Sequence, residues 1–564
     1  MDVDLPASPA DANVSPGRRL LDVDAIVRRI VRETTYPGLF GTYARMAQTC
    51  KSLFLPSITR LWSYGGSLQY LFTTLPSDCW ERDSPPEEKF HVSIKLLRKL
   101  KPEDLQRMRI YAQYITSLPY GLQISTVKAE VLSAVISVHA EAFGTPNFLP
   151  NLSTLLWNTE LDSDFPFIMV FLNARLRHLS VFMSNSPKTR LSFLAHVSAL
   201  CPHLSHISLH GGDHSETIAT GSSLLVGWEY LHSLSIKCVS TEVMMYLMQM
   251  RRLSDLTLEH VDNIDWGAVK TYTSSLDNPT FPALGRLGLT QAKFTPCIEM
   301  LREVNLSTLA NVIFGFKEPL NRDMWTLLFN TLQNRCPTGL TSITVRDTAV
   351  PDASDVQTQA NEELTLNEIC LLFPFKDITN LSLLASCDFG LDDSGIESIA
   401  KAFPKLKDFS LETRGKPPSD PAAHPVLDRV PPKCTLASLY KLSIHCPNLS
   451  WVHLSFDART IPPIPAETIA GAQPSEMFGL DVAGYSPLED PDAVTQYLKT
   501  IFPKLACVAI IKSDSDGPDS LLARKWKEVR DKVMKKPEDG GEKVQEAMSE
   551  VEPTMDMDLD NQSN

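Results

Sequence analysis

Four histidines lie close together in the segment CPHLSHISLHGGDH, namely His203, His206, His210 and His214. Histidine is the side chain that proteins use most often to bind metals, so this cluster is the first candidate for chemistry. The ligands of a metal site must converge on one centre. Side chains that follow one another along a strand and a turn point in different directions, so the spacing argues against a metal site.

Motifs for nucleophilic catalysis or phosphate binding are missing from the sequence. His210-Gly211-Gly212 is similar to an oxyanion-hole loop, but no Gly-x-Ser-x-Gly elbow exists to use it. The chain has no Gly-x4-Gly-Lys loop, and its 11 cysteines include no Cys-x-x-Cys pair. We therefore expect no catalytic residue, no metal and no cofactor, and we predict that the chain is not an enzyme.

The composition limits the partners and the compartment. The formal net charge of −14 argues against non-specific binding of nucleic acid, which needs a basic surface. The N-terminus has no apolar segment typical of a secretory signal. No apolar run approaches the ~20 residues of a membrane-spanning helix. We therefore expect a cytoplasmic or nuclear protein that binds neither nucleic acid nor membrane, with its cysteines as buried apolar residues.

One phrase recurs along the chain, often after Cys-Pro or Phe-Pro. It consists of an apolar residue, two variable residues, a second apolar residue, one variable residue and a third apolar residue. The clear copies are CPHLSHISL (Leu204, Ile207, Leu209), FPALGRLGL (Leu284, Leu287, Leu289), FPKLKDFSL (Leu406, Phe409, Leu411), CPNLSWVHL (Leu449, Val452, Leu454) and FPKLACVAI (Leu505, Val508, Ile510). Weaker copies begin at Leu152, Leu176, Leu231, Leu253, Leu309, Leu340 and Ile378. The mean spacing is about 32 residues, so some repeats carry insertions.

Each unit of this repeat predicts a strand, a helix and a stop between them. The last two apolar residues of the phrase alternate, as on one face of a short strand. Several copies follow a stretch of helical spacing, and the proline then disfavours helix in the residue before it. The four helical stripes are Val243, Leu247 and Met250; Trp325, Leu328 and Leu332; Ile396, Ile399 and Phe403; and Val494, Leu498 and Ile501.

The repeats resemble the degenerate leucine-rich repeats of many F-box proteins, over about residues 150–511. The fold class predicted is α/β, an irregular leucine-rich-repeat solenoid with parallel strands and outer helices. The main alternative is an all-helical solenoid, which would place helices where we predict short strands. Two proline-rich segments, 412–433 and 457–474, are interpreted as loop insertions, and substrate contact is a second interpretation of them.

The N-terminal residues 19–62 show three short stretches of helical spacing. Tyr36-Pro37-Gly38 breaks the first helix from the second. Three short helices bury little core alone, so such a module relies on a partner or on the adjoining domain. The stripes are Val23, Ile26, Val27 and Ile30; Met46, Cys50, Leu53 and Phe54; and, after Pro56, Ile58, Leu61 and Trp62.

The segment ARMAQTCKSLFLP, residues 44–56, followed by Leu61-Trp62, resembles the F-box common in fungal proteins. Residues 100–118 also resemble the linker that follows in that group. An F-box docks on the Skp-family adaptor of a cullin–RING ubiquitin ligase, so the resemblance implies that partner. The first helix departs from the family, because Val23-Asp24-Ala25-Ile26 lacks the usual proline and acid. The implied adaptor-binding residues are Val23, Ile26, Val27, Ile30, Met46, Cys50, Leu53 and Phe54.

A second interpretation makes residues 19–62 a helical cap, since terminal repeats need capping. A cap would bury its apolar stripes against the first repeat. A docking module would leave Val23, Ile26, Val27 and Ile30 partly exposed for a partner helix.

The predicted organisation has six parts. They are a disordered N-terminus (1–18), an F-box-like three-helix module (19–65), a helical linker or N-terminal cap (66–148), the repeats (149–511), a C-terminal capping helix (512–536) and an acidic disordered tail (537–564). The function that the resemblance implies is a substrate-recognition subunit of an SCF-type cullin–RING ubiquitin ligase, with an unidentified protein substrate on the repeats. The alternative is a protein-interaction scaffold with no ubiquitin role.

Overall fold

The computed structural model describes residues 24–34, 39–65, 67–82, 94–121, 127–183, 196–211, 228–276, 279–347, 363–413, 431–464, 477–482, 486–510 and 521–534. The chain forms two compact units, each with its own parallel strands. The first unit contains residues 1–318 and 330–340, and the second contains 319–329 and 341–564. The predicted disordered segments 1–18 and 537–564 lie outside the described residues.

In the first unit, an antiparallel pair of strands precedes eight parallel strands, each paired with the next along the chain. The pair is β1 (Trp80–Arg82) and β2 (Ile94–Leu96). The parallel strands are β3 (Ser117–Tyr120), β4 (Thr154–Trp157), β5 (His178–Phe182), β6 (His206–His210), β7 (Ser233–Ile236), β8 (Asp255–Leu258), β9 (Arg286–Ala292) and β10 (Asn311–Phe316). The helices are α1 (Asp24–Glu33), α2 (Leu39–Thr49), α3 (Lys51–Gly65), α4 (Leu68–Phe72), α5 (Gln106–Ala112), α6 (Ala129–Phe143), α7 (Ile168–Phe171), α8 (Thr241–Met248), α9 (Trp266–Ser274) and α10 (Phe294–Glu303), with 3₁₀ turns at Pro102–Leu105 and Phe165–Phe167.

In the second unit, six strands pair in parallel and two short strands form a separate parallel pair. Helix α11 (Arg322–Arg335) supplies residues to each unit. The six strands are β11 (Ser342–Asp347), β13 (Asn380–Ala385), β15 (Asp408–Thr413), β16 (Trp451–Leu454), β17 (Gly479–Val482) and β18 (Cys507–Ile510), and the short pair is β12 (Glu363–Leu364) and β14 (Asp388–Phe389). The helices are α12 (Leu366–Ile369), α13 (Asp393–Ala402), α14 (Leu436–His445), α15 (Pro491–Ile501) and α16 (Leu521–Met534), with a 3₁₀ turn at Cys370–Leu372.

The repeated apolar phrase forms the strands because alternate side chains of a strand face opposite sides of the sheet. In β13, Leu381 and Leu383 are buried, while Ser382 between them and Asn380 before them are half-buried. All 12 predicted copies fall on parallel strands, and neighbouring helices such as α13 and α14 pack side by side. The prediction of an irregular α/β leucine-rich-repeat solenoid is confirmed, and the all-helical alternative is wrong.

The predicted proline stops have one shared backbone geometry. Helices α13, α14 and α15 end before Phe403, Cys446 and Phe502, which precede Pro404, Pro447 and Pro503. The three residues before proline adopt φ of −121°, −121° and −130° with ψ of 68°, 77° and 78°. The proline ring excludes helical ψ in the residue before it, so the chain leaves the helix and turns toward the next strand.

Two parallel strands lie outside the predicted copies. Strand β3 comes before residue 149, so the predicted start of the repeats is too late. Leu118 and Tyr120 of β3, with Ile115 just before the strand, are buried at the three apolar positions of the phrase. Strand β17 likewise follows the phrase but begins it with a methionine, Met477, without a Cys-Pro or Phe-Pro pair just before it in the sequence. Both strands fit the spacing of the phrase, and neither has leucine at its first position.

Two predicted element boundaries also differ from the structure, one at Pro56 in the helical module and one at the end of β15. Pro56 lies inside α3, whereas the sequence predicted a separate helix after it. A proline within a helix removes one backbone hydrogen bond, yet α3 runs from Lys51 to Gly65, and the adjacent Ser57 and Ile58 are buried. Glu412 and Thr413, the first two residues of the predicted loop 412–433, belong to β15, and residues 414–430 lie outside the described residues.

Gly315 provides a test of how tightly β10 packs on β9. The register of these strands shifts between Phe314 and Phe316, and a Cβ at Gly315 would overlap the carbonyl oxygen of Thr290. We expect Gly315→Ala to lower the free energy of unfolding by about 1–3 kcal/mol, because a strand backbone must move. Gly339→Ala is the matched control, because its Cβ would meet open space. Equal unfolding curves for both variants in urea would contradict this packing.

Candidate protein-binding surfaces

The core of the N-terminal helical module is made by α1, α2 and α3. Val27 and Val31 of α1 are buried, and α1 packs against α3. Tyr43 of α2 is also buried, and its hydroxyl donates a hydrogen bond to the carbonyl oxygen of Thr34 at 2.8 Å. This bond ties the end of α1 to α2, so the three helices form one small packed cluster.

A stacked ring pair connects the module to the segment that follows it. Trp62, near the end of α3, lies 5.2 Å from Tyr111 of α5 between ring centroids, at an interplanar angle of 25°. Offset stacking of this kind adds about 0.5–1.5 kcal/mol beyond the burial of the rings. This ring pair gives the helical module a packing contact with α5 in addition to the chain connection.

Apolar side chains on the outside of the module are left exposed. Ile26 and Ile30, one turn apart on α1, have 36% and 43% of their surface exposed. Phe54 and Leu55 on α3 are 48% and 47% exposed. Isolated exposed apolar residues are ordinary, but Ile26 and Ile30 share one face of α1, so they form an apolar pair that a partner helix could contact.

The eight predicted adaptor-binding residues divide into four groups. Ile26, Ile30 and Phe54 are exposed, and Met46, Cys50 and Leu53 are half-buried. The expected partial exposure of Val27 is wrong, because the α1–α3 contact requires an apolar side chain there and buries it to 1%. Val23 lies outside the described residues. Leu55 was not predicted, since it stands off the helical stripe that the sequence indicated.

The inward and outward faces of α1 should differ in their effect on stability. We expect Val27→Ala to destabilise the module by about 1.5–3 kcal/mol, since a fully buried valine is truncated. Ile30→Ala, the control on the exposed face, should change stability by less than about 0.5 kcal/mol. Amide hydrogen exchange across residues 24–33 of the full chain measures both. Equal loss of protection in the two variants would place Ile30 in the core as well.

The strand face of the first unit carries a row of polar residues in register. Thr154 of β4, His178 of β5 and His206 of β6 stand side by side, and the two imidazoles stack at 4.1 Å between centroids. Burial lowers the pKa of His178 below its ordinary value of 6.5, and the charge of His206 would lower it further. Burial and the nearby His232 likewise lower the pKa of His206, while Asp255 opposes them.

Acid should therefore destabilise this strand face. As the pH falls below 6.5, the ordinary pKa of histidine, the unfolded chain binds protons that the folded His178 and His206 do not yet bind. The free energy of unfolding therefore decreases as the pH is lowered. Between about pH 7.5 and pH 5.5, the melting temperature of His178→Gln/His206→Gln should decrease less than that of the natural chain. Similar melting at the higher pH would show that the variant folds. An equal fall in both proteins would mean that the pair contributes nothing to acid sensitivity.

The candidate metal cluster, apart from His214, and the buried cysteines can be located among the described residues. No group of three or more metal-ligating side chains converges among the described residues, and His214 lies outside them. Burial raises the pKa of the Cys434 and Cys446 thiols to about 12, so they stay protonated and unreactive. No described helix is both long and apolar enough to cross a membrane.

Comparison with known proteins leaves the family of the chain open. No protein-family model matches it, and no curated protein matches it either. One solved structure to which it is similar is a crystal structure of the Rad7 and Elc1 complex in yeast, at 13% identity and a TM-score of 0.32. That similarity covers 84% of this chain and 91% of the other. So low a TM-score does not assign this chain to the neighbour's family.

Proposed function

We propose that this chain is the substrate-recognition subunit of an SCF-type cullin–RING ubiquitin ligase. Its helical module would bind a Skp-family adaptor, and its repeats would hold a protein substrate. The chain would work by proximity, raising the effective concentration of substrate lysines near the ubiquitin-loading enzyme. It would supply no catalytic group or cofactor, and it would act in the cytoplasm or the nucleus.

The observation that carries this proposal is the exposed apolar pair Ile26 and Ile30 on a module joined to parallel-strand repeats. Residues at positions i and i+4 lie on one face of a helix and can enter the groove of a partner helix. Phe54 and Leu55 add apolar surface on α3. A helical cap of the repeats would be expected to bury Ile26 and Ile30, so their exposure favours the docking interpretation of the F-box-like segment.

Replacing the exposed pair tests the adaptor contact. We expect Ile26→Asp/Ile30→Asp to abolish co-purification with a Skp-family adaptor, because two carboxylates would be buried unpaired in an apolar interface. The repeats should remain folded, since both side chains are exposed in the isolated chain. Co-expression followed by size-exclusion chromatography measures the complex directly.

The matched control changes the net charge equally on the same helix. Arg28→Gln/Arg32→Gln removes two positive charges from exposed positions of α1 and should retain the adaptor. Loss of the adaptor in both variants would indicate a bulk charge effect. Adaptor binding that survived Ile26→Asp/Ile30→Asp would show that this docking surface is wrong.

A scaffold with no ubiquitin role is the second candidate. It is favoured by the first helix, in which Val23-Asp24-Ala25-Ile26 lacks the proline and acid usual in an F-box. A scaffold would bind partner proteins through the repeats but would not co-purify with a Skp-family adaptor. A truncated chain lacking residues 1–65, compared with the full chain, separates these two functions.

A further inference from the structure

A histidine of the second unit lies between two carboxylates on the outward strand face, meaning the face opposite the buried apolar residues such as Val452. His453 stands at the middle of β16, where it pairs in register with Ser410 of β15 and Asp481 of β17. Its Nδ1 is 3.6 Å from Asp481 Oδ2, and its Nε2 is 3.5 Å from Glu412 Oε2. The His453 side chain is 9% exposed and that of Asp481 16%, so water screens this contact little, whereas Glu412 is 35% exposed.

Two buried polar atoms of this cluster have no hydrogen-bond partner. They are His453 Nε2 and Asp481 Oδ1, which form no hydrogen bond with any of the described residues. Buried polar atoms of native proteins are almost always hydrogen-bonded, because an unsatisfied one keeps its full desolvation cost. When the imidazole proton is on Nδ1, facing Asp481, the remaining atoms of the cluster are all acceptors. A ligand that satisfies them must therefore bring several donors.

Charge also selects the ligand. Neither Glu412 nor Asp481 forms an ion pair with a lysine or arginine of the described residues. Two carboxylates face one imidazole, so the cluster is net negative in either protonation state of His453. A cation with several donors is the complementary group.

Aromatic rings border the same cluster. The Trp451 indole nitrogen donates to Asp481 Oδ2 at 2.7 Å, which fixes the direction of that carboxylate. The Trp451 ring lies over Gly479 of β17, where a Cβ would overlap it. Phe478 lies 6.4 Å from Trp451 between centroids, and 54% of its surface is exposed. A planar guanidinium can stack on such a ring while its five donors reach carboxylates, and an ammonium group cannot match both contacts.

We propose that Glu412, His453 and Asp481, with Trp451 and Phe478 beside them, bind an arginine side chain of a partner protein. The inference rests on the proposed function in that the repeats hold a protein partner, and it places one contact of that partner on β15, β16 and β17. The guanidinium would donate to His453 Nε2, Asp481 Oδ1 and Glu412. The segment that carries the arginine would lie along the outward face of these strands.

Selection of peptides on the immobilised full chain tests this inference without any adaptor. We expect a random library of peptides about 12 residues long, enough to span several strands, to enrich sequences with arginine at a fixed position. Replacing that arginine by citrulline, a neutral isostere, should weaken the selected peptide at least tenfold, roughly the effect of unpairing a buried charge. Replacement by lysine should weaken it as well, because the planar geometry is lost.

Variants of the chain then locate the contact. Glu412→Gln/Asp481→Asn should lose at least about tenfold in affinity for the selected peptide while keeping its melting temperature. Glu363→Gln/Asp377→Asn removes the same charge from two exposed carboxylates of this unit, which pair with Lys433 and Lys405, and should bind normally.

Three outcomes would overturn the arginine site. They are a selection that enriches no arginine, a Glu412→Gln/Asp481→Asn variant that binds like the natural chain, and an equal loss in the control variant. The adaptor experiment has a separate readout. Peptide binding without adaptor binding would retain this site and reject the ligase function, and adaptor binding without an arginine preference would do the reverse.

Discussion

Burial of three apolar side chains per repeat against the neighbouring repeats is the constraint on which each unit depends. A fully buried leucine contributes about 1.5–3 kcal/mol, and residues such as Leu284, Leu287 and Leu289 are buried almost completely. No single repeat can bury its own apolar face, so each strand is stable only beside the next. The residues between the apolar positions are thereby free to differ, because the parallel ladder is already satisfied by backbone hydrogen bonds.

The same constraint explains why so much of the fold was predictable from the sequence. The spacing of Leu406, Phe409 and Leu411 after Phe403-Pro404 encodes a helix end, a turn and a strand within a few residues. These are local signals, and local signals can be recognised in one sequence. Strands β3 and β17 lie outside the predicted copies although their spacing is the same, with Ile115 and Met477 at the first position. The spacing of the phrase therefore identifies more of the strands than its leucine content does.

The candidate surfaces could be predicted only in part, because they depend on contacts between segments. Helical spacing placed Ile26, Val27 and Ile30 on one stripe, but it could not show that α3 covers Val27 and leaves the other two exposed. Glu412, His453 and Asp481 come from three different strands, separated in sequence by whole repeats. Nothing in any one of these segments indicates the other two. The parallel register brings them together, and register follows from packing.

The two kinds of surface also differ in what they cost the isolated chain. Exposed Ile30 and Phe54 are solvated unfavourably, but they leave no polar group unsatisfied. The buried acceptors His453 Nε2 and Asp481 Oδ1 have lost water without gaining a partner among the described residues. A donor brought by a ligand would recover that desolvation cost at binding, so the strand face is organised for its ligand before it arrives. The repeats can carry this cost because their stability comes from the opposite side of each strand, where Val452 and Leu480 are buried. Outward positions can therefore be specialised for recognition while the apolar layer beneath them stays unchanged.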